Sequence, residues 1–415
     1  MKDTPSDLRA DPDAPDLAFE PTRDAGLARL AAFAPRAGRD YAAKRNHDLP
    51  GHPHVSSLSP WLRHRAVTEA EVCAAVLDRQ SPSAADKFVQ EVVWRTYFKG
   101  WMERRPGVWR AYLRGVAAAR ARLATEGGLR REWEAACEGT TGIEPFDGWA
   151  RELVRTGYVH NHAPMWFASI WIHTLRLPWE LGADLFLRHL LDGDPASNTL
   201  GWRWVAGLHT RGKSYQARAS NIGKFTGGRF DAQTLGHRLA REAPALEGPA
   251  HPDPAPMPED ADWARDGRTG LLLHEDDLHP DFLRARGLDH VATMALVSPG
   301  GRSPLAVAPK VRDFTHALAA DACARWGGGP VSEDPAAVAA WARAEGLDRV
   351  VAPHAPTGPA RDALDAAEAA LAVPLARPIR AWDLAAWPHA TAGLFKVKGK
   401  IPALLEAAPQ DMGAA

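Results

Sequence analysis

A cluster of hydroxyl side chains, Ser56, Ser57 and Ser59, stands directly before Pro60 in the segment SSLSP. Hydroxyl groups and free backbone N–H groups at the start of a helix suit a phosphate group. The same residues also fit an ordinary helix start, with Ser59 as the N-cap and Pro60 as the first helical residue. Both interpretations place a helix start close to residue 59.

A pair of opposite charges lies in a strongly apolar segment. Glu91 and Arg95 stand four residues apart in FVQEVVWRTYF, which is apolar on most sides of a helix. Because a partly buried ion pair needs polar partners, we expect this pair at the edge of a pocket rather than on a solvated surface. A phosphate group or an amide-bearing nucleobase would supply such partners.

Two further polar groups have open interpretations. His160 and His162 carry imidazoles, but side chains two residues apart on a helix diverge and no third ligand follows at metal spacing, so we predict neither a zinc site nor an HNH-type nuclease. Asp192 and Asp194, separated by Gly193, fit either a magnesium-binding carboxylate pair or a turn whose acids cap a helix. Spacing alone does not choose between these two.

The stretch from Pro195 to Phe230 contains no acidic residue. Cations interleaved with aromatic rings suit a phosphate backbone and unstacked bases, whereas a solvated basic surface over an aromatic core is the alternative. The cations are Arg203, Arg211, Lys213, Arg218, Lys224 and Arg229, and the aromatic residues are Trp202, Trp204, Tyr215 and Phe225.

The elements that position these residues are predicted to be helices. Ser83 and Thr68 are helix-start signals within the upstream half, which shows no alternating strand pattern and should be nearly all-α. The predicted upstream helices are Asp24–Phe33, Glu69–Leu77, Ala84–Glu103, Trp109–Thr125, Phe146–Thr156, Pro164–Leu175 and Leu181–Leu190.

A proline-rich segment marks the boundary between two kinds of pattern. Six prolines fall between Pro244 and Pro258, which excludes a helix or a central strand there. Downstream, short apolar runs alternate with helical stretches, a pattern typical of a parallel sheet, and no G-x-G-x-x-G or P-loop motif is present. The predicted strands are 270–274, 291–297 and 349–352, and the predicted helices are 311–326, 335–345 and 359–371.

Composition excludes several classes of protein. The 415 residues carry 50 Lys and Arg against 51 Asp and Glu, which argues against a globally basic nucleic-acid coat. Three widely separated cysteines make neither a disulfide framework nor an iron–sulfur site and favour a cytoplasmic location. The longest apolar run, 163–175, is too short for a membrane span, so no membrane association is expected.

Three of these segments together resemble the FAD-binding helical domain of the DNA photolyase and cryptochrome family. FVQEVVWRTYF (88–98) is similar to the family's E-x-x-W-R-x-F/Y helix, and TGYVHNHAPMWFAS (156–169) to its T-G-W-x-H-N segment. LDGDPASNTLGWRW (191–204) is similar to D-G-D-x-A-x-N-x-x-x-W-x-W, the most specific of the three. The resemblance runs from about Tyr41 to Phe230 and implies an all-α domain that binds FAD.

The resemblance also implies which side chains hold FAD. The serines would grip the pyrophosphate, Arg95 would approach the cofactor or DNA phosphates, and Asn198 would face flavin N5, where Asn is more typical of repair enzymes than of plant or insect photoreceptors. The residues implied to bind FAD are Tyr41, Ser56, Ser57, Leu58, Ser59, Glu91, Arg95, Asn161, Asp192, Gly193, Asp194 and Asn198.

Further positions match the lesion slot and the electron relay of the family. Trp94, Trp204 and Met165 would contact a flipped pyrimidine dimer, with Glu91 as the polar partner of its bases. Asn161 and Met165 stand where repair enzymes for the 6-4 lesion carry histidines, which favours the cyclobutane dimer. Trp202 and Trp179 match the inner and middle tryptophans of the relay and, with Asn198, are the implied catalytic residues.

The sequence departs from the family pattern at several points. Pro164 stands where an Arg usually pairs with the carboxylate matched by Asp192, and Val55 replaces a Thr at the start of the serine cluster. No tryptophan stands at the position of the outermost relay member, so the relay is either truncated or continued by another tryptophan. The candidates for that substitution are Trp109, Trp133 and Trp171.

The order of the domains is the larger departure. Family members begin with an α/β antenna domain, whereas GLLLHEDDLHPDFL (270–283) resembles its first strand and WDLAAWPHATAGLFKVKGKIP (382–402) its closing strand and exit segment, so the antenna-like domain would follow the helical one. An unrelated Rossmann-like module is the alternative. We expect a disordered leader (1–25), the helical domain (26–242), a proline-rich linker (243–268), the α/β domain (269–405) and a tail (406–415).

The resemblance implies blue-light-dependent repair of cyclobutane pyrimidine dimers by electron transfer from photoexcited reduced flavin, with damaged DNA bound by the basic stretch. A cryptochrome-like photoreceptor that signals to a protein partner is the alternative, and a relative that binds DNA without repairing it is a third option. A second antenna chromophore, folate or deazaflavin, fits the family, as does its absence.

Overall fold

The structure is a computed structural model that describes residues 17–412 of the chain. A helical part extends to Arg238, and an α/β part begins at Thr269 and is followed by a group of short helices. This is the multi-domain architecture expected from the sequence, an all-α domain followed by a Rossmann-like domain with a parallel sheet. Within residues 17–412, no helix combines the length and the apolar character that crossing a membrane requires.

The helical part consists of α-helices joined by turns and by longer loops, among them 45–58 and 206–218. The helices are α1 (Arg23–Phe33), α2 (Arg39–Lys44), α3 (Ser59–Arg63), α4 (Glu69–Arg79), α5 (Pro82–Glu103), α6 (Pro106–Thr125), α7 (Gly127–Glu138), α8 (Glu144–Thr156), α9 (Ala163–Ser169), α10 (Trp179–His189), α11 (Pro195–Val205), α12 (Ala219–Phe225) and α13 (Ala232–Arg238). A π-helical turn, Ile170–Thr174, continues α9.

The helix starts follow local capping chemistry. The Glu71 N–H donates to the Thr68 hydroxyl at 3.3 Å and the Thr68 N–H donates to the Glu71 carboxylate at 2.8 Å, so the predicted cap of α4 is confirmed as a capping box. The predicted cap of α5 was wrong. Ser81 caps this helix instead of Ser83, because Pro82 already has the φ that the first helical position requires.

The structure describes both ends of the expected domain map only in part. Residues 1–16 of the predicted leader lie outside the described residues, but α1 begins at Arg23, where Arg23 forms an ion pair with Glu71. The predicted tail is helical as far as residue 411 in α20 (Ile401–Asp411), and residues 413–415 lie outside the described residues. Buried Asp411 accepts hydrogen bonds from the backbone N–H groups of Ala381 and Trp382, which ties this helix down.

The α/β part contains a five-stranded parallel sheet in the order β3-β2-β1-β4-β5. In register, Leu271 lies opposite Thr293 on one side and Val351 on the other. The strands are β1 (Thr269–His274), β2 (Ala292–Leu296), β3 (Val331–Ser332), β4 (Arg349–Val351) and β5 (Leu375–Ala376), and the helices are α14 (Asp281–Ala285), α15 (Pro309–Arg325), α16 (Pro335–Ala344) and α17 (Pro359–Ala370).

The predicted closing strand at 382–402 was wrong. This segment forms α18 (Ala381–Ala386), a 3-10 turn at 387–389 and α19 (Phe395–Lys398), and it packs on α5 of the helical part. The Trp382 indole donates to the Thr96 hydroxyl at 2.9 Å, and Trp387 lies against Gly100, where a Cβ would come within 2.7 Å of the indole Cγ. Burial of these two tryptophans on α5 therefore stabilises helices in place of an edge strand.

The two parts share one continuous apolar core. Leu271 and Leu273 of β1 belong to the same buried cluster as the helical part, whereas Leu272 belongs to a smaller cluster on the other face of the sheet. Buried ion pairs cross the same boundary, joining Arg63 to Asp276 and Arg65 to Asp383. The carboxyl end of β1, at the switch point of the strand order, is therefore covered by the helical part.

Candidate functional site

The turn Asp192–Gly193–Asp194 leads directly into α11. Asp194 is the N-cap of that helix, and its Oδ1 accepts a hydrogen bond from the Ser197 N–H at 2.8 Å. Its Oδ2 lies 3.4 Å from Lys99 Nζ and 3.7 Å from Arg95. Of the two interpretations left open by the sequence, the capping turn is confirmed for Asp194, and its second oxygen forms ion pairs with α5.

The two carboxylates of this turn differ in their electrostatics. Burial raises the pKa of Asp194, but Lys99, Arg95 and Arg63 outweigh burial and hold that pKa well below its usual range. Burial also raises the pKa of Asp192, and a hydrogen bond from Ser59 and the charge of Arg95 only partly offset it. Asp194 is therefore a fixed anion, whereas Asp192 takes up a proton more easily.

The serine cluster faces this turn. Ser59 is the first residue of α3 and Leu58 is its N-cap, so the predicted N-cap role of Ser59 was wrong and its hydroxyl is directed to Asp192 instead. The Ser56 hydroxyl accepts from the Leu58 N–H at 3.4 Å. Ser57 is buried at φ +51°, a left-handed conformation that is uncommon outside glycine. The strained turn places hydroxyl and carboxylate groups together.

Glu91 and Arg95 do not pair with each other, which corrects the expected ion pair. Glu91 forms an ion pair with Arg45, whereas Arg95 donates to the Arg63 carbonyl oxygen at 2.7 Å and lies 3.4 Å from Glu69. Burial raises the pKa of Glu91 and Arg45 partly offsets it. Both side chains are partly buried, at 25% and 13% exposure, so each retains contact with open space beside α5.

The remaining residues predicted to bind FAD are spread around these two groups. Tyr41 is buried against Phe88, with ring centroids 5.1 Å apart, and burial together with nearby Glu91 raises its pKa. Asn198 is half-buried on α11 and donates its amide N–H to the Ala183 carbonyl oxygen at 2.8 Å. Asn161 is exposed in the turn before α9. Their roles toward FAD stay predictions.

The polar side chains around α5 and α11 fit the groups of a flavin nucleotide. Ser56, Ser59, Asp192 and Asn198 are only half-buried although the segments that carry them adjoin the core. Hydroxyl, carboxylate and amide groups can bind the phosphates, ring N–H groups and carbonyl oxygens of FAD. The donor set of the chain therefore fits the cofactor that the motifs imply.

Sequence reasoning missed two residues that hold this arrangement. Lys99 bridges Asp194 and Asp276, at 3.4 and 3.7 Å. Arg63 donates to the Gly193 carbonyl oxygen at 2.9 Å and pairs with Asp276. Lys99 follows Arg95 by four residues, so both lie on one side of α5, which is the signal that would have revealed it.

The three apolar residues predicted for the lesion slot stand on three helices that pack together. Trp94 lies on α5, Met165 on α9 and Trp204 on α11, and α11 packs against both other helices. All three side chains are only partly buried. Trp94 contacts Tyr97 at 5.6 Å and Trp204 contacts Tyr215 at 5.6 Å between ring centroids. The slot itself stays a prediction.

The tryptophans predicted for the relay fall into two groups of ring contacts. Trp202 is buried and lies 6.0 Å from Trp171, and Gly182 allows this packing, because a Cβ there would overlap Trp202 and lie 2.9 Å from Trp171. Trp179 lies 5.7 Å from Tyr112, whose ring stacks on Trp109 at 5.2 Å. Trp171 and Trp109, two of the candidate substitutes, therefore connect to the predicted members, and the half-buried Trp133 on α7 is the third.

The basic stretch is only partly a free surface. Arg211, Lys213, Arg218 and Lys224 are exposed. Arg203 lies 5.9 Å from the Trp179 ring, and Arg229 forms an ion pair with Asp48 at 3.2 Å. Four of the six cations therefore remain available on the surface of the described chain.

The histidines carry structural roles. Burial lowers the pKa of His160 to about 3 and that of His162 to about 4, so both are neutral near pH 7. The His160 Nδ1 accepts from the His162 N–H at 3.1 Å. Between residues 17 and 412, no group of three or more His, Cys, Asp or Glu side chains is placed to hold a metal ion.

Two cavities lie beside these residues. A cavity of about 550 Å³ is formed by the loop 50–52, α8 and residues 229–230, and no residue predicted to bind FAD lines it. A second cavity, of about 470 Å³, is lined by Tyr215, the ring neighbour of Trp204, and by Arg218 and Asn221. The first cavity is therefore a competing location for any ligand of the helical part.

Comparisons with known proteins agree with the motifs. Residues 88–235 match the family described as the FAD binding domain of DNA photolyase. A deoxyribodipyrimidine photo-lyase of Vibrio cholerae is 31% identical over 200 residues, which is 45% of this chain and 40% of that protein. A photo-lyase of Thermus thermophilus is 33% identical over 248 residues, 58% of this chain and 55% of that protein.

A solved cryptochrome structure from Synechocystis superposes on part of the chain, at 24% identity and a TM-score of 0.42, over 52% of this chain and 45% of that one. The chain spans about half the length of the curated relatives it matches. The motifs at 88–98, 156–169 and 191–204 all lie within residues 88–235, which match the family model. The helical part of the chain is therefore similar, over residues 88–235, to the FAD binding domain of DNA photolyase.

Proposed function

We propose that this protein is a blue-light-dependent photolyase that uses FAD to repair cyclobutane pyrimidine dimers in DNA. The observation that carries the proposal is the joining of Ser59, Asp192, Asp194 and Arg95 into one polar group beside the partly buried Trp94. Curated relatives with about 30% identity are named photo-lyases, which supports repair over a signalling cryptochrome.

The polar group would hold FAD within the helical part. The serines would bind its phosphates, and Asp192 and Asn198 would meet the ring N–H and carbonyl groups. Bound FAD would supply light-driven electron transfer, chemistry that no amino-acid side chain provides. Asp194, with its low pKa, would fix the charge behind the flavin, while Lys99 and Arg95 balance it.

The partly buried apolar residues would receive the lesion. A dimer rotated out of the duplex needs flat apolar faces and one polar partner, which Trp94, Trp204, Met165 and Glu91 would supply. The exposed cations Arg211, Lys213, Arg218 and Lys224 would hold the phosphates, so binding should fall steeply with salt.

The C-terminal α/β part would be the antenna-like domain in exchanged order, and residues 243–268 its linker. β1, which the sequence matched to the first antenna strand, is the central strand of the sheet, which supports this order. A folate or deazaflavin antenna stays a prediction. The free cysteines Cys73, Cys137 and Cys323 support a cytoplasmic location.

Repair by the reduced protein under blue light tests the proposal. A dimer-containing oligonucleotide should regain its thymines in light and not in darkness. Trp94→Ala should lower the preference for damaged over intact DNA at least tenfold, because it removes a stacking face. Trp133→Ala, which removes another half-buried tryptophan, on α7, is the matched control and should retain the preference. Absence of restored thymines with the wild type would overturn repair and leave a photoreceptor or a relative that binds DNA without repairing it.

A further inference from the structure

The segment Thr391–Lys400 forms a compact projection between α18 and α20. Leu394 and Val397 are buried, at 6% and 0% exposure, and anchor the projection in the core. Phe395 between them is 84% exposed, and Lys396 and Lys400 are exposed while Lys398 is half-exposed. The fold thus fixes the backbone of this segment and directs an aromatic ring and three ammonium groups outward.

An aromatic ring this exposed is unusual in the described chain. Between residues 17 and 412 only four large hydrophobic side chains are exposed, and Phe395 is the most exposed and the single aromatic one among them. The residues from Leu384 to Leu405 include no Asp or Glu, so no carboxylate of this segment neutralises the lysines. An exposed ring beside three lysines combines a stacking face with phosphate-binding cations, which suits an anionic partner that offers apolar faces.

The projection lies next to Trp94. The Tyr97 hydroxyl donates to the Ala392 carbonyl oxygen at 2.7 Å, and the Tyr97 and Trp94 ring centroids are 5.6 Å apart. Phe395 is the third residue after Ala392, and an extended chain of that length spans at most about 11 Å. With the Tyr97 ring and its contact to Trp94 included, the upper limit is about 25 Å, so Phe395 lies within one turn of a DNA duplex, about 34 Å, of Trp94.

The projection is also continuous with the basic stretch. His209 Nε2 lies 3.0 Å from the same Tyr97 hydroxyl, and exposed Arg211 and Lys213 follow His209 in the chain. One tyrosine thus joins the projection to the loop that carries the exposed cations. Two separate segments of the chain place positive charge on one side of α5.

We propose that residues 391–400 contact the DNA duplex beside the lesion, with the lysines on backbone phosphates and the Phe395 ring against base faces exposed when the dimer leaves the stack. This inference rests on the proposed function. Apolar side chains that insert at distorted base steps and cations that neutralise phosphates are a recurrent combination in DNA-binding proteins. The continuity with Arg211 and Lys213 favours DNA over an anionic membrane as the occupant.

Binding measurements with two forms of the same lesion test the ring. Phe395→Ser should weaken binding of a duplex carrying the dimer about tenfold, the effect of losing one base–aromatic contact. It should change the affinity for the same dimer in a single strand less than twofold, because a single strand lacks the stacked duplex bases that the ring would contact. Val291→Ser, which removes the next most exposed hydrophobic side chain, is the matched control and should change neither.

The salt dependence of binding tests the lysines. Replacing Lys396, Lys398 and Lys400 by Gln should reduce the slope of log affinity against log salt by about 2 to 3, since each phosphate contact contributes about 0.9. Equal duplex affinity for wild type and Phe395→Ser would overturn the inference. So would a loss of binding to anionic lipid vesicles, or of self-association, with DNA affinity unchanged.

The outcome is separable from that of the proposed function. If the wild type does not distinguish damaged from intact DNA and restores no thymines, the proposed function fails. If it does both and the Phe395 and lysine variants bind the duplex as the wild type does, only the role of the projection fails.

Discussion

At the scale of single residues, two aspartates in different surroundings differ in how easily they take up a proton. Asp192 and Asp194 stand two residues apart, yet burial raises the pKa of one and three cations lower the pKa of the other. The sequence motif does not distinguish Asp192 from Asp194, since both are acidic residues at positions that match it. Only the packing of α5 beside the turn reveals that Asp194 is the ionic anchor.

This difference predicts unequal effects of the same substitution. Asp194→Asn should lower the free energy of unfolding by about 3 kcal/mol, because it leaves Lys99 buried with a weaker set of partners, although Asn preserves the helix cap. Asp192→Asn, the matched control, should lower the free energy of unfolding by about 1 kcal/mol or less, because the raised pKa of Asp192 shows that its negative charge is not stabilised by the fold. Urea unfolding measures both, and equal losses would contradict the assignment of Asp194 as the anchor.

The buried imidazole of His160 predicts a loss of stability in acid. Its folded pKa of about 3 lies below the unfolded value of about 6.5, so the unfolded chain binds the extra proton as the pH falls below 6.5. The stability that neutral His160 contributes is therefore complete above pH 6.5 and is lost toward pH 3. At pH 5 the loss from this one group is roughly 2 kcal/mol.

Substitution of His160 should remove that part of the pH dependence. The change in unfolding free energy between pH 7 and pH 5 should be about 2 kcal/mol smaller in His160→Asn than in wild type. His237→Asn, at an exposed position on α13, is the control and should follow the wild type. Parallel curves for His160→Asn and wild type would refute the role given to this histidine.

At the scale of elements, close packing of α10 and α11 depends on Gly182. A Cβ at this position overlaps the Trp202 ring, so Gly182→Ala should destabilise the protein by about 1 to 3 kcal/mol, the cost of overpacking a core. Gly201 lies in α11, and a Cβ added there would meet no atom within 4 Å, so Gly201→Ala should stabilise the protein by up to about 1 kcal/mol. Unfolding in urea measures both changes in the free energy of unfolding, which should have opposite signs. Stabilisation by Gly182→Ala would mean that the two tryptophans are not packed as described.

Prediction from the sequence succeeded where the signals are local. Thr68 and Glu71 specify the start of α4 within four residues, and apolar periodicity predicted α5, α6, α8 and α10. α7 and α11 were not predicted, and strands β3 and β5, with two residues each, are too short to show a pattern. The segment at 382–402 was mistaken for a strand, because its helices depend on burial of Trp382 and Trp387 against distant α5.

In the candidate site too, residues within a local motif could be predicted, whereas residues with distant partners could not. The motifs led to Arg95, Asp192 and Asp194, which the structure brings together around Ser59. They did not lead to Lys99 or Arg63, whose partner Asp276 lies in another part of the chain. Pairings over more than 170 residues leave no local pattern. The partners of Glu91 and Arg95, which are Arg45 and the Arg63 carbonyl group, stand 46 and 32 residues away and also lie beyond the reach of a helical spacing rule.

At the scale of the whole molecule, the helical and α/β parts form one packed unit. Glu103 of α5 accepts from Arg361 at 2.8 Å and from the Thr357 N–H at 2.7 Å, and Arg65 pairs with Asp383 at 2.7 Å. Glu103, Arg65 and Asp383 are almost fully buried. Salt screens such pairs weakly, so they should hold the parts together in the absence of a covalent connection.

Cutting the linker tests this cohesion. A protease site inserted at exposed Asp253 and cleaved in the folded protein should give two fragments that elute together in gel filtration, in 0.1 M and in 1 M salt. The uncut protein is the reference for elution. Separation of the fragments under native conditions would show that the interface is too weak to keep the α/β part on the helical part.

The central claim is that FAD binds at the polar group around Ser59, and titration with FAD tests it most directly. The wild type should bind one FAD per chain, and Ser59→Leu should weaken binding at least tenfold by placing a branched apolar side chain among the ligands. Gly148→Leu, which fills the 550 Å³ cavity from a position with no atom closer than 3.9 Å to its Cβ, should leave FAD binding unchanged. No binding by the wild type, or loss with Gly148→Leu and retention with Ser59→Leu, would contradict the account.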